Sequence, residues 1–87
     1  MNNLLSDKDT KAVIEILTRE LGVLEAQLTH DANLKQDLGA DSLTLVEINM
    51  ALEDRFNLTI SEERAEVIQT VGDVLELLAE LLRAGTS

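Results

Sequence analysis

The sequence contains no cysteine and no proline, and Phe56 is the only aromatic side chain among its 87 residues. The lack of cysteine excludes a disulfide framework, a thiolate nucleophile and any metal site with cysteine ligands, and it is compatible with the cytoplasm. Basic residues are scarce as well: 7 Lys and Arg stand against 17 Asp and Glu, which gives a net charge of −10. Nucleic acid is therefore a poor partner, because a phosphate backbone is bound through clustered Lys and Arg. A protein with a basic surface is a better one.

Long apolar runs are missing too. No uncharged apolar segment approaches the ~18 residues that a membrane span requires, and the first residues lack the basic and apolar stretches of a secretory signal. Hydrophobic residues nevertheless make up 45% of the chain, which is enough for a globular core. We therefore expect one cytoplasmic, monomeric domain over residues 1–87, with an ordered core over about 6–84 and no insertion into a membrane.

The helical periodicity predicts an all-α fold, a small four-helix bundle with three longer helices, one short helix and a long first loop. The first helix is expected over 7–21, with Ser6 as its N-cap and Gly22 as its stop. A loop follows over 23–41, and loops of this length are usually functional or pinned by their own apolar residues. The residues expected to pin it are Leu24, Leu28, Leu34 and Leu38.

The second helix is expected over 42–56, with either Asp41 or Ser42 as its cap. Two apolar stripes run along it. The stripe assigned to the core consists of Leu45, Ile48, Leu52 and Phe56. The other stripe is expected to be partly exposed, and it consists of Leu43, Val46 and Met50 with the acidic residues Glu47, Glu53 and Asp54 around it.

The two remaining helices are predicted from the capping residues at their starts. A short helical segment is expected over 61–68 behind a Ser61 cap. Thr70 and Asp73 form a cap-like pair before the last helix, which carries a wide leucine stripe and is expected to end near Gly85.

The sequence contains few patterns that are typical of catalytic or metal-binding sites. His30 is the only histidine, so a zinc site is improbable, and we expect it to be an exposed loop residue. The chain has neither the G-x-S-x-G pattern of a nucleophilic serine nor the D-x-D-x-D-G pattern of an EF-hand. No catalytic residue and no metal ligand is therefore predicted.

The densest pattern is Asp37-Leu-Gly-Ala-Asp-Ser-Leu43, in which a glycine turn places Ser42 at the start of a helix. Unpaired N–H groups and the positive end of the helix dipole would favour a phosphate ester on this hydroxyl. The alternative is that Ser42 or Asp41 simply caps the helix. Spacing alone leaves both open.

Taken with Val46-Glu47, Met50-Ala-Leu-Glu53 and Phe56, this stretch resembles the acyl carrier protein family, whose signature is a D-S-L tripeptide at the start of the second helix. The resemblance covers nearly the whole chain. It implies that Ser42 receives 4′-phosphopantetheine from coenzyme A through a phosphopantetheinyl transferase, and that Asp41 helps to engage this enzyme and its magnesium. It also implies that partner enzymes contact Leu43, Val46, Glu47 and Met50, and the neighbouring acidic residues Glu53 and Asp54 are added to this surface.

The function that follows is that of a non-enzymatic carrier of acyl thioesters. Its expected partners are acyl-loading and synthase enzymes with basic docking surfaces, in fatty acid, specialised lipid or polyketide biosynthesis. Thr44 stands where many family members have an acidic residue, which leaves the pathway open. A peptidyl or aminoacyl carrier is the alternative within the class. An unmodified acidic interaction subunit, in which Ser42 is only a cap, is the alternative outside it.

Overall fold

The computed structural model describes residues 5–84, and in this part of the chain it is all-helical, as predicted. Four α-helices follow one another, and a short 3₁₀ helix interrupts the first loop. The α-helices are α1 (Asp7–Leu21), α2 (Ser42–Phe56), α3 (Glu62–Glu66) and α4 (Val71–Ala84), and the 3₁₀ helix is Glu25–Gln27. The predicted stop at Gly85 lies outside the described residues.

The first helix begins and ends as its local sequence predicts. The Ser6 hydroxyl accepts a hydrogen bond from the Asp9 N–H at 3.1 Å, which satisfies one of the unpaired donors of the first turn. Gly22 ends the helix with a φ of 69°, a left-handed conformation that glycine adopts without steric cost. The predicted bounds of α1 are therefore confirmed.

The core is one apolar cluster that takes residues from α1, α2, α4 and the first loop. Of the predicted core stripe of α2, Ile48 and Leu52 are almost fully buried, whereas Leu45 and Phe56 are partly buried against the same cluster. Burial of each large aliphatic side chain contributes roughly 1.5–3 kcal/mol, so this face of α2 fixes the helix on the bundle. The other fully buried large side chains are Val13, Leu17, Leu34, Val71, Val74 and Leu78.

Three of the four leucines expected to pin the first loop are buried, and the prediction for Leu24 is wrong. Leu28, Leu34 and Leu38 belong to the core cluster, whereas Leu24 is 72% exposed. The reason is the 3₁₀ helix, which the sequence analysis did not foresee. Leu24 and Leu28 flank it, and residues four apart lie on different faces of a helix with three residues per turn.

Backbone hydrogen bonds tie the first loop to the start of α4. The N–H groups of Val71 and Gly72 donate to the carbonyls of Ala32 and His30, at 3.0 and 2.9 Å. His30 is exposed, as predicted, yet its ring lies so close to Gly72 that a side chain at that glycine would collide with it. The middle of the first loop is therefore anchored on a different helix.

The short helix α3 ends at Glu66, two residues before the predicted end at Ile68. It stops because the Gln69 carbonyl accepts a hydrogen bond from the Leu34 N–H at 2.8 Å, which draws this backbone away from a helical path. Polar contacts hold the segment on both sides. The Ile60 N–H donates to Glu53 Oε2 of α2 at 2.7 Å, and the Arg64 guanidinium pairs with the Glu80 carboxylate of α4.

Candidate functional site

The glycine turn places Asp41 and Ser42 at the start of α2, and the two residues have different roles there. Asp41 is the N-cap: its Oδ1 accepts a hydrogen bond from the Thr44 N–H at 2.8 Å. Gly39 has a φ of 78°, so the turn needs a residue that tolerates the left-handed region. Ala40, which lies between Gly39 and Asp41 in the chain, is buried. The sequence left open whether Asp41 or Ser42 is the N-cap of α2, and in the structure the N-cap is Asp41.

Ser42 is exposed, and its hydroxyl has no hydrogen-bond partner within residues 5–84. Hydrogen bonds from the backbone and side chain of Thr44 lower the pKa of the neighbouring Asp41 carboxyl below its ordinary value, so it stays ionised to lower pH than a free Asp does. The Thr44 hydroxyl can donate a hydrogen bond to the Asp41 carboxylate. An ionised acidic side chain at position 44 would have no hydroxyl to donate. The positive end of the α2 dipole also lies at Ser42 and favours an anion there.

Leu43, Val46 and Met50 form an exposed apolar patch on α2, which we call the α2 patch. They are 65%, 52% and 61% exposed. At about 100° per residue, the three lie within about 60° of one another around the helix, opposite Ile48 and Leu52. The prediction of a second, exposed stripe is therefore confirmed, and this stripe begins one residue after Ser42.

The three acidic residues predicted around the patch all lie on its side of α2, and they differ in exposure. Glu47, Glu53 and Asp54 each fall within about 60° of Met50 around the helix, and Glu47 and Asp54 are exposed. Glu53 is half-buried, and one of its oxygens already accepts the hydrogen bond from the Ile60 N–H. Glu53 therefore has a structural role that the sequence analysis missed. Met50, Glu53 and Asp54 line one shallow depression on the surface of α2.

A cleft of about 300 Å³ lies where the first loop, α2 and the segment after α3 meet. Leu45, one turn along α2 from Ser42, lines it together with Leu34 and Ile68. Its remaining lining residues are polar: Asn33, Lys35, Gln36, Glu66 and Gln69. The helix that bears Ser42 thus also forms one wall of a concave, mixed polar and apolar surface.

Two further residues were not predicted from the sequence to have a role. Val67, directly after α3, is 70% exposed, and it follows the acidic residues Glu63 and Glu66. Asn33 organises the loop that leads to Ser42, and it is not among the site residues predicted from the sequence. A signal for its role was present, because an Asn side chain in a loop commonly accepts a hydrogen bond from the backbone N–H two residues further on.

The part of the chain that the structure describes contains no group of three or more His, Asp or Glu side chains that could hold a metal ion. None of its helices combines the length and the apolar character needed to cross a membrane.

Two comparisons with known proteins agree with this geometry. Residues 11–82 match the family model described as the phosphopantetheine attachment site, so that 4′-phosphopantetheine is the covalent cofactor expected for this chain. The fold matches a solved structure from Mycobacterium tuberculosis that is described as an acyl carrier protein, with 37% sequence identity and a TM-score of 0.76. That match covers 82% of this chain and 95% of the other. The chain therefore belongs to the acyl carrier protein family, whose members carry a phosphopantetheine attachment site.

Proposed function

We propose that this protein is a non-enzymatic acyl carrier and that Ser42 is the residue to which 4′-phosphopantetheine is attached. The observation that carries the proposal is the division of roles at the start of α2. Asp41 accepts the capping hydrogen bond, so the exposed Ser42 hydroxyl is left available for reaction. The fit to the cofactor is supported by the positive end of the helix dipole, which stabilises the negative charge of a phosphodiester at this position.

In the attachment reaction, Ser42 Oγ attacks the phosphorus that bears the pantetheine part of coenzyme A. A new bond forms between this oxygen and the phosphorus, and the bond to the adenosine bisphosphate breaks, so that this leaving group departs with the electron pair. The serine proton passes to a base on the transferase. Asp41 is ionised at neutral pH, as an Asp with an ordinary or lowered pKa is, and is suited to contact the transferase and its magnesium. Once attached, the arm supplies a thiol that holds acyl groups as thioesters.

The surface offered to partner enzymes is the α2 patch with Glu47 and Asp54. Carboxylates around a small apolar area raise the association rate with a basic partner without requiring a long-lived complex, as a carrier that visits several enzymes needs. Glu53 lies on the same side of α2 and contributes its charge, although it is half-buried. We place the carrier in the cytoplasm as a monomer, over the single domain 1–87, in fatty acid, specialised lipid or polyketide biosynthesis.

The test is incubation of the apo protein with coenzyme A, magnesium and a phosphopantetheinyl transferase, followed by intact mass spectrometry. The wild type should gain one phosphopantetheine mass, and Ser42→Ala should gain none. Since Asp41 is the cap, Ser42→Ala should melt within about 2 °C of the wild type. Loss of modification can then not be attributed to unfolding.

Ser6 and Ser61 are matched controls, because their hydroxyls accept capping hydrogen bonds from Asp9 and Arg64, at 3.1 and 3.2 Å. Ser6→Ala and Ser61→Ala should each still gain the full mass. If the wild type is not modified, or if the mass maps to Ser6 or Ser61, the proposal is wrong and an unmodified interaction subunit takes its place.

A further inference from the structure

The segment that delivers Ser42 to the start of α2 is organised around one side chain, that of Asn33. We call residues 33–41 the attachment loop. Asn33 Oδ1 accepts hydrogen bonds from two successive backbone N–H groups, those of Lys35 and Gln36, at 3.0 and 2.9 Å. Within residues 5–84 these two donors have no other hydrogen-bond partner, and both residues are exposed. Two adjacent N–H groups of this turn therefore depend on one side-chain oxygen.

The backbone of Asn33 closes the same turn. Its N–H donates to Asp37 Oδ2 at 2.8 Å, and its carbonyl accepts from the N–H groups of Asp37 and Leu38, at 2.9 and 3.1 Å. Five hydrogen bonds thus converge on one residue. Leu38 is buried, so the turn that Asn33 organises also determines where the chain enters the core.

From this turn the path to Ser42 is short and tightly held. The Ala40 N–H donates to the Leu34 carbonyl at 2.8 Å, and the Leu34 N–H donates to the Gln69 carbonyl at 2.8 Å, just before α4. Leu34 and Ala40 are both buried. A change in the turn at Asn33 would therefore be transmitted through Leu34 and Ala40 to the two residues that follow, Asp41 and Ser42.

We propose that Asn33 is a positioning residue for the attachment reaction, holding the attachment loop so that Ser42 Oγ is presented in line with the phosphorus it attacks. This inference rests on the proposed function. Transfer between two molecules requires alignment of the reacting atoms, and a displacement of about 1 Å can lower a rate 10²-fold. Asn33 lies nine residues before Ser42, and these five hydrogen bonds all join it to residues 35–38 of the attachment loop, so its effect is on geometry rather than on docking.

The variant that tests this is Asn33→Ala, which removes Oδ1 and leaves the backbone bonds of residue 33 in place. The N–H groups of Lys35 and Gln36 then bond to water, because both residues are exposed, so the melting temperature should change by only a few degrees. The attachment rate is measured in single turnovers with the transferase in excess. The maximal rate constant should fall about 10-fold. The transferase concentration at half-saturation should stay within about twofold, because the α2 patch is unchanged.

Three further variants make the result specific. Asn33→Asp and Asn33→Ser keep an acceptor oxygen, and at least one should recover most of the rate. Gln27→Ala is the matched control: it removes a similar bond of the first loop, from the Leu24 N–H to Gln27 Oε1 at 2.9 Å, outside the attachment loop. It should react at the wild-type rate. Amide exchange at Lys35 and Gln36 should be slow in the wild type and fast in Asn33→Ala.

The outcomes separate this inference from the proposed function. If the wild type is modified at Ser42 and Asn33→Ala reacts at the wild-type rate, the positioning role is wrong and the proposed function stands. The role is equally wrong if Asn33→Ala is no slower than Gln27→Ala, if only the half-saturation concentration changes, or if both acceptor-keeping variants are as slow as Asn33→Ala. If the wild type is not modified at all, the proposed function itself fails.

Discussion

At the scale of single residues, the start of α2 shows how a fold can keep a reactive hydroxyl free. Serine is among the favoured N-cap residues, and a capping serine would have its oxygen committed to a backbone N–H. Here the preceding Asp41 accepts that bond from Thr44, and Ser42 takes the first helical position instead. Reactivity and helix stability are thus assigned to neighbouring residues, so that the chemistry of one can change without loss of the other.

Asp73 provides a second residue-scale case, in which charge and capping combine at the start of α4. Its Oδ2 accepts hydrogen bonds from the N–H groups of Gln69 and Thr70, at 2.9 and 3.1 Å, and its own N–H donates to the Thr70 hydroxyl at 3.1 Å. The Gln69 N–H is the main reason that the pKa of Asp73 is lowered, and partial burial opposes it. The folded protein therefore binds fewer protons at this group than the unfolded chain does.

We expect Asp73→Asn to lower the free energy of unfolding by about 1 kcal/mol at pH 7. The lowered pKa means that the stabilisation by the charge is complete above the unfolded pKa of about 3.9 and is lost as the pH falls through the folded pKa. The difference between wild type and variant should therefore shrink below about pH 4, as measured by urea unfolding at pH 7 and pH 3. Asp54→Asn is the control, since the Asp54 side chain is exposed and has no ion pair within residues 5–84. An equal difference at both pH values would contradict this account.

At the scale of elements, α2 has two functional faces on one helix. Ile48 and Leu52 are buried, whereas the α2 patch on the opposite side is exposed to solvent. One face therefore carries the stability of the helix in the bundle, and the other is available for partners. Substitutions on the two faces should have separable effects.

We expect Leu52→Ala to lower the free energy of unfolding by about 2–5 kcal/mol, because it leaves a cavity in the core. Glu47→Lys and Met50→Ala should change it by less than about 1 kcal/mol, because both side chains are exposed. Glu47→Lys should instead slow association with a basic partner enzyme about 10-fold at low ionic strength, and less at high salt. Circular dichroism with denaturant and stopped-flow binding measure the two quantities. If Glu47→Lys unfolds the domain while Leu52→Ala does not, the two faces have been assigned the wrong way round.

The elements also show which features could be predicted from the sequence. The bounds of α1 and α2 were predictable because their caps lie next to them in the chain: Ser6 and Gly22 for one, Asp41 for the other. The end of α3 was not, because it depends on a hydrogen bond between Gln69 and Leu34, which are 35 positions apart. Leu24 was misassigned for a different reason: the 3₁₀ helix next to it has only three residues, which is too short to show a periodic pattern in the sequence.

The candidate site divides in the same way. Ser42, Asp41 and the α2 patch were predictable from a local motif and from helical periodicity. The bond from the Ile60 N–H to Glu53 was not, because it joins two elements that the sequence analysis treated separately. The role of Asn33 was only partly visible. Its bonds are local, but their consequence for Ser42 depends on how Leu34 and Ala40 are buried.

At the scale of the whole molecule, stability and charge oppose each other. The chain carries a net charge of −10 within a radius of gyration of 11.9 Å, close to the Debye length of about 10 Å at 0.1 M salt. Among residues 5–84, few carboxylates are paired with an arginine: Glu20 with Arg19 at 3.6 Å, and Glu80 with Arg64. Most of the acidic side chains therefore repel one another across the molecule, and the same charge that attracts a basic partner destabilises the free carrier.

We therefore expect the melting temperature at pH 7 to rise with sodium chloride concentration, by about 5 °C between 10 mM and 1 M, which corresponds to about 1 kcal/mol for a domain of this size. The reason is that the Debye length falls from about 30 Å to 3 Å over this range, which removes most repulsion between exposed charges. Chloride is used because sulfate would strengthen apolar burial as well. The control is the double variant Glu47→Gln and Asp54→Asn, which has two fewer negative charges and should melt higher at 10 mM salt and respond less to added salt. A melting temperature that stays flat in the wild type, or that rises equally in both proteins, would show that repulsion does not limit this fold.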